Sequence, residues 1–202
     1  MQLFYGPNSI ALVSLIVLEE VGAVYTPMRL DLAAGMQRRP DYLALNPKGR
    51  VPLLVTDQGA LTETPAILTY LAQTHPQADV MPADPFQAGR VHEMMSYLCL
   101  TVHVSHAHKG RGYRWSDDPQ IIAGMKRRVT QNMTDHFGYL ESRFDGPWAM
   151  GAAYTVADAY LFVLCSWAGS DGVDLAAFPK LSAHQAAMKA RPAVQRALAL
   201  QT

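Results

Sequence analysis

The first 75 residues alternate between short apolar runs and amphipathic stripes, a pattern typical of a chain that switches repeatedly between strand and helix. Gly6-Pro7 ends the first apolar run, and Gly22 ends the first helical stripe. The pattern predicts, in chain order, strand 2–5, helix 9–21, strand 25–30, a short helical turn at 40–45, strand 51–55, strand 60–62 and helix 63–74.

This order, β-α-β followed by β-β-α, determines how the strands pair. A right-handed crossover between the first two strands makes them parallel, whereas a hairpin makes the last two antiparallel. We therefore predict a thioredoxin-like α/β domain over residues 1–75.

The composition changes after residue 75. Three prolines and two aspartates between residues 76 and 85 interrupt both kinds of periodicity, which predicts a linker over 76–85. From residue 86 onward the apolar positions follow helical spacing. The predicted helices are 86–108, 120–142, 156–170, 180–190 and 193–200, so residues 86–202 form an all-α C-terminal helical bundle.

The charge balance and the apolar runs exclude two classes of partner. Lysine plus arginine number 17 and aspartate plus glutamate also number 17, so the chain lacks the positive excess that nucleic-acid binding requires. The longest apolar run, residues 10–18, is shorter than the ~20 residues of a membrane helix, and the N-terminus lacks the pattern of a secretory signal. Cys99 and Cys165 lie in apolar helical stretches, which suits a reducing compartment. We expect a cytoplasmic protein that binds neither nucleic acid nor membrane.

Four segments, in this order and spacing, resemble the glutathione S-transferase family, with the bacterial beta class as the most similar subgroup. They are residues 46–52 (NPKGRVP), 61–67 (LTETPAI), 154–159 (YTVADA) and 191–194 (RPAV). The resemblance implies a glutathione-binding N-terminal domain, a helical C-terminal domain and a homodimer. It also implies a detoxifying enzyme that adds glutathione to a small electrophilic substrate without a metal.

The resemblance further implies that Val51, Pro52, Glu63 and Thr64 bind glutathione. In the family the proline is cis, and the backbone of the residue before it pairs with the cysteinyl unit of the tripeptide. Glu63 and Thr64 open a predicted helix, whose free N–H groups and partial positive charge suit a carboxylate, while Glu63 would attract the α-amino group. Two plainer interpretations stay open: Pro52 as a turn proline, and Thr62 or Glu63 as an ordinary helix cap.

Thr155 and Asp158 have the spacing of a capping box at the start of helix 156–170. In the family this box organises a buried helix of the C-terminal domain. The segment therefore identifies the fold rather than the chemistry.

Catalysis in the family needs glutathione as a thiolate, because the thiolate is the attacking species. The beta class carries a cysteine followed by a serine before the first helix, where this chain has Ile10 and Ala11. Ser9 is the best replacement as the catalytic donor, with Asn8 and Tyr5 as weaker candidates. An ordinary N-cap role for Ser9 stays open.

Helix 86–108 carries a polar stripe at steps of four, three, four and three residues. Its members are His92, Ser96, Cys99, His103 and His106. The resemblance implies that His103 is a catalytic residue beside the glutathione sulfur and that Ser96 reaches glutathione across the dimer, although matching the His-Lys-Gly string selects His108 instead. The alternatives are a metal site shared by His92, His103 and His106, or a polar surface stripe.

Asn8, His106 and Tyr113 are the predicted lining of the second-substrate cleft. Tyr113 belongs to an aromatic and basic stretch, residues 111–115, which suits either an anionic or aromatic compound or an exposed rim. The leading hypothesis is a glutathione transferase. A glutathione-binding carrier with little catalysis, and a glutathione-dependent isomerase or dehalogenase on the same fold, are the alternatives.

Overall fold

The computed structural model describes residues 1–201 and divides the chain into two compact units. The first unit comprises Met1–Ala88 together with the C-terminal stretch that begins at Lys189, and the second comprises Gly89–Met188. The predicted linker, 76–85, lies just before this boundary. The last predicted helix, 193–200, groups with the first unit rather than with the other C-terminal helices.

A four-stranded mixed sheet forms the first unit's centre. Its strands are β1 Gln2–Tyr5, β2 Thr26–Arg29, β3 Leu53–Thr56 and β4 Gly59–Thr62. The strand order is β2-β1-β3-β4. β1 is parallel to β2 and antiparallel to β3, and β3 is antiparallel to β4. The predicted pairings and the thioredoxin-like fold class are confirmed.

The helices cover much of the remaining chain. They are α1 Ala11–Glu20, α2 Pro40–Leu45, α3 Thr64–Thr74, α4 Pro85–Tyr97, α5 His103–Arg111, α6 Pro119–Arg143, α7 Val156–Ser166, α8 Pro179–Ala190 and α9 Pro192–Ala199. Within residues 1–201, none of them has both the length and the apolar character needed to cross a membrane.

α1 is apolar on every side, and its residues from Ala11 to Leu18 are all buried. A helix without a polar face must be covered all round, and α1 packs against β1, α3 and α9. It begins two residues later than predicted, because Ile10 rather than Ser9 occupies the N-cap position. Gly22, in the left-handed conformation with φ 67°, follows its end.

Two ion pairs attach α9 to α1. Arg191 donates to both carboxylate oxygens of Glu20, at 2.6 and 2.8 Å, and Arg196 donates to Glu19 Oε2 at 2.6 Å. Val194 is fully buried on the same short helix. Bidentate arginine pairing and apolar packing together explain why this helix belongs with the first unit.

α7 is the most buried helix segment of the second unit, with every residue from Val156 to Cys165 inaccessible or nearly so. It ends at Ser166, four residues before the predicted end. The chain then passes through a short 3-10 segment, Gly169–Asp171, and a left-handed Gly172 with φ 80°. Asp158 makes both bonds of the predicted capping box, so its structural role is confirmed.

The predicted helix 86–108 is not continuous. A π-helical turn, Leu98–Val102, separates α4 from α5, and we refer to it as the π segment. A π turn closes its hydrogen bonds between residues five apart, so it holds more residues per turn than an α-helix. The predicted stripe from His92 to His106 is therefore broken, because positions after the π segment are rotated relative to those before it.

Candidate active site

Three of the predicted functional segments leave the same end of the sheet. Leu53 of β3 lies opposite Phe4 of β1 on one side and opposite Thr62 of β4 on the other. The residues after β1, before β3 and after β4 therefore emerge together. These segments are the loop 6–10, Val51-Pro52 and Glu63-Thr64.

The Val51–Pro52 peptide bond is cis, as the resemblance implied. The carbonyl that precedes Val51, that of Arg50, accepts hydrogen bonds from the Tyr42 hydroxyl at 2.6 Å and from Asn46 Nδ2 at 2.7 Å. Tyr42 and Asn46 are both buried. Two buried donors on one carbonyl fix the course of the backbone at Val51. Sequence reasoning matched Asn46 as part of a motif but assigned no role to it or to Tyr42.

The N-terminus of α3 begins directly after the hairpin. Glu63 occupies the N-cap position with φ 69°, and no side chain within residues 1–201 caps the helix, so the plain capping role proposed for Thr62 or Glu63 is not observed. Lys48 Nζ lies 2.5 Å from Glu63 Oε1 and also donates to the Thr62 hydroxyl. Thr64 is buried at the first helical position. Lys48, which the sequence motif contained without an assigned role, thus forms an ion pair with Glu63 at this helix end.

Ser9 is buried in the loop before α1. Its hydroxyl donates to the Gly6 carbonyl at 2.6 Å and accepts from the Ala11 N–H at 3.3 Å. A serine hydroxyl has one hydrogen, and Ser9 donates it to the backbone carbonyl of Gly6 in its own loop. The hydroxyl must therefore turn away from Gly6 before it can donate to a ligand.

The other loop candidates make contacts with the C-terminal stretch. The Asn8 N–H donates to Gln201 Oε1 at 2.9 Å, and the Tyr5 hydroxyl donates to the Leu200 carbonyl at 3.0 Å. Tyr5 is buried at the end of β1, as expected for a strand residue. Asn8 is exposed and has φ 57°.

In the second unit, His136 of α6 bridges the two sides of the π segment. Its Nδ1 lies 2.9 Å from the Tyr97 hydroxyl, and its Nε2 lies 2.9 Å from the Ser105 hydroxyl. Burial lowers the pKa of His136, which favours a neutral ring with one donating and one accepting nitrogen. The bridge links Tyr97, the residue after Ser96, to Ser105, two residues beyond His103. The sequence pattern did not single out His136.

His103 and His106 lie beside Trp167. The ring centroids of His106 and Trp167 are 4.2 Å apart with the planes inclined by 22°, a stacked pair, and His103 lies 5.5 Å from the same indole. His106 Nδ1 is 2.7 Å from Asp171 Oδ2. Asp171 and Trp167 follow α7 closely in the chain and were not predicted.

The remaining predicted residues of the second unit lie on its surface. Ser96 is exposed on α4, and Tyr113 is exposed in a 3-10 turn after α5. His108 packs edge to face on Trp115, with centroids 4.5 Å apart. Among residues 1–201, no group of three or more His, Cys, Asp or Glu side chains is arranged to hold a metal ion.

Two family models match the chain. One describes the N-terminal domain of glutathione S-transferases and matches residues 1–73, and the other describes the C-terminal domain and matches residues 105–200. The glutathione S-transferase GstA of Escherichia coli O157:H7 is 33% identical over 202 residues, an alignment that covers 98% of this chain and 97% of that protein.

Solved structures give the same result. A glutathione transferase homologue from Sulfitobacter, crystallised with bound glutathione, superposes with a TM-score of 0.94 at 41% identity, covering 96% of this chain and 95% of the other. A beta-class glutathione S-transferase from Sphingomonas chungbukensis superposes with a TM-score of 0.87 at 32% identity, covering 100% of this chain and 98% of the other.

Proposed function

The chain belongs to the glutathione S-transferase family, and we propose that it binds glutathione at the common end of its four-stranded sheet and adds the thiolate to a small electrophilic substrate. The observation that carries this proposal is the meeting of loop 6–10, Val51-Pro52 and Glu63-Thr64 at that end, set by the strand register. It is an enzyme, a glutathione transferase.

In this proposal, the tripeptide is held mainly by backbone groups. Val51, whose preceding carbonyl is fixed by Tyr42 and Asn46, offers its N–H and C=O to the cysteinyl unit. The uncapped N-terminus of α3, where Thr64 stands, takes the γ-glutamyl carboxylate through the free N–H groups of its first turn, and the neighbouring Lys48 ammonium is paired with Glu63. Pro52 and Glu63 complete the site, with Glu63 facing the substrate's α-amino group.

Ser9 activates the thiol. Lowering the pKa of a thiol by two units requires ~2.7 kcal/mol of preferential stabilisation of the anion. One hydrogen bond to a charged acceptor supplies ~1.5–3 kcal/mol, and the dipole of α1 adds ~0.3–1 kcal/mol. A bond to a charged sulfur is stronger than the neutral bond that Ser9 now makes to Gly6, so the exchange of acceptors is favourable once the thiolate is present.

The remaining roles in this proposal are those that the family resemblance implies. His103 acts beside the sulfur, Asn8, His106 and Tyr113 line the second-substrate cleft, and exposed Ser96 reaches the glutathione bound by the other copy of a homodimer. The free thiols of Cys99 and Cys165 are consistent with a cytoplasmic location.

Glutathione binding and conjugation of a generic aryl halide, measured on the wild type, Ser9→Ala and Ser14→Ala, test this proposal. Ser14 is the matched control, because its buried hydroxyl on α1 has no hydrogen-bond partner within residues 1–201. We expect Ser9→Ala to lower kcat/KM about ten- to a hundredfold, which corresponds to one charge-assisted bond of ~1.5–3 kcal/mol, and to reduce the ultraviolet absorbance of the bound thiolate. Ser14→Ala should retain both.

Three outcomes separate the hypotheses. Tight glutathione binding without turnover in the wild type would show that the protein is a glutathione carrier rather than an enzyme. Undiminished turnover in Ser9→Ala would remove Ser9 from the mechanism and leave the enzyme. The absence of any thermal stabilisation by millimolar glutathione would contradict the binding site itself.

A further inference from the structure

A buried carboxylate holds one imidazole of the second unit in a single orientation. The Asp171 side chain is 0% exposed, and its Oδ2 lies 2.7 Å from His106 Nδ1. Asp171 is itself fixed, since its carbonyl accepts the Thr130 hydroxyl at 2.7 Å. The turn is tight here, because a Cβ at Gly172 would come within 2.8 Å of that same hydroxyl oxygen. The carboxylate is therefore a built part of the fold rather than a mobile surface group.

The pairing determines which atom of His106 is offered to a ligand. A carboxylate only accepts hydrogen bonds, so Nδ1 must carry a hydrogen whatever the protonation state of the ring. Stacking on Trp167, with centroids 4.2 Å apart, prevents the ring from turning. Nε2 is left at the opposite corner, and the side chain remains 21% exposed. With Nδ1 engaged by Asp171, Nε2 is the ring nitrogen of His106 that can contact a ligand.

The charges beside His106 favour an anionic ligand. Lys109 Nζ lies 3.5 Å from the other oxygen, Asp171 Oδ1, and also donates to the Ser170 carbonyl. Lys109 thus already balances the charge of Asp171. Protonation of His106 gives the group a net positive charge, and only the protonated ring donates from Nε2. An incoming carboxylate selects that form and receives a charge-assisted hydrogen bond.

We propose that His106, oriented by Asp171 and stacked on Trp167, binds a carboxylate group of the second substrate through Nε2. This inference rests on the proposed function, and it narrows the electrophile to compounds that carry an anionic substituent in addition to the reactive centre. Asp171 is a positioning residue in this arrangement, because it acts through His106.

Paired non-reactive ligands test the inference without turnover. 3-Nitrobenzoate and 3-nitrobenzamide have similar shapes but differ in charge, and their affinities can be measured by titration calorimetry. We expect the wild type to bind the benzoate at least about tenfold more tightly, the low end of what one charge-assisted bond provides. In His106→Asn the Asn amide can replace Nδ1 as donor to Asp171, but it has no counterpart of Nε2, so the ratio should fall to about one.

Two further variants keep the test decisive. His92→Asn changes an exposed histidine on α4 and should leave the affinity ratio at the wild-type value. His106→Gln also removes the imidazole and should lower the ratio as well, so the inference stays testable if His106→Asn fails to fold. A wild-type ratio of one, or a preference that survives in a folded His106→Asn, would overturn the inference.

A kinetic measurement distinguishes failure of the carboxylate site from failure of the proposed transferase function. Conjugation of 4-chloro-3-nitrobenzoate and of its amide gives a ratio of kcat/KM for the same leaving group. An enzyme that conjugates both equally well, and whose affinities also show no preference, contradicts only the carboxylate site. A protein that shows the affinity preference but conjugates neither compound contradicts the proposed function and retains the site.

Discussion

The Asp158 carboxylate joins three parts of the second unit, and replacing it with alanine should be severe. Asp158 is fully buried at the start of α7. It accepts hydrogen bonds from the Ala149 N–H at 2.6 Å, from the Thr155 N–H at 2.7 Å and from the Thr155 hydroxyl at 3.3 Å, and His184 Nε2 lies 2.9 Å away. One side chain thus satisfies the cap of α7, the segment before it and a histidine of α8.

The magnitude follows from the donors left behind. In Asp158→Ala the two buried N–H groups and the imidazole of His184 lose their acceptor, and each stranded group costs ~1–3 kcal/mol. Some of this cost is recovered if water enters, so we expect a loss of about 4 kcal/mol in the free energy of unfolding. That is a large share of the ~5–15 kcal/mol free energy of unfolding of a typical domain. Asp158→Asn keeps one accepting oxygen and should cost about half as much.

Urea denaturation followed by circular dichroism measures these differences. Asp118→Ala is the matched control, because Asp118 caps α6 by accepting the Gln120 N–H at 2.7 Å but is exposed. Water can replace an exposed cap, so the control should lose only ~1 kcal/mol. A loss in Asp158→Ala no larger than in Asp118→Ala would refute the reasoning, which depends on the number of stranded donors and on their burial.

Three further predictions concern His136, the two cysteines and the α9 anchor. Burial lowers the pKa of His136 in the folded state below its unfolded value of ~6.5, so the stability that the neutral ring provides above that pH is lost as the pH falls. Urea titrations at about pH 5 and pH 7.5 measure this loss. The free energy of unfolding should change less between these two pH values in His136→Asn than in the wild type. Burial raises the pKa of the Cys165 thiol, so a thiol reagent at mildly alkaline pH should label Cys99 first and Cys165 only on unfolding, which mass spectrometry of the labelled peptides can show. Arg191→Ala should lower the free energy of unfolding by ~1 kcal/mol or more, because it leaves the largely buried Glu20 without its partner, whereas Arg191→Lys should lose less. Labelling of Cys165 before Cys99 would contradict the cysteine prediction. An unchanged free energy of unfolding in Arg191→Ala would contradict the role of the ion pair.

The sheet of the first unit was predictable because its strands are short apolar runs bounded by glycine and proline, and the connections leave few ways to pair them. The same register brings Val51 and Thr64 to one end, so the backbone part of the proposed glutathione site follows from local pattern and topology. The grouping of α9 with the first unit was not predictable in this way. It depends on the Arg191–Glu20 pair between residues 171 apart in the chain, and nothing local to either residue indicates it.

The side-chain part of the site was harder to predict, and Ser9 shows why. Its position before α1 follows from the sequence, but the direction of its hydroxyl depends on the Gly6 carbonyl, which the loop places 2.6 Å away. Lys48 is a comparable case. Its ion pair with Glu63 joins the loop before β3 to the residue after β4, and only the closed hairpin brings them together. Hydrogen-bond direction and charge pairing are tertiary properties.

The π segment changes the relative orientation of the histidines on α4 and α5, which the periodicity of the sequence alone could not predict. A regular helix through residues 92–106 would place His92, Ser96, His103 and His106 along one stripe, which led to the expectation of a shared polar face. The extra residues in the turn Leu98–Val102 rotate α5, and His136 holds that break in place from α6. His106 consequently meets Asp171 and Trp167, whereas His92 stays exposed on α4. We therefore expect the carboxylate preference to respond to substitutions on α5 and in the residues after α7, and not to changes at His92.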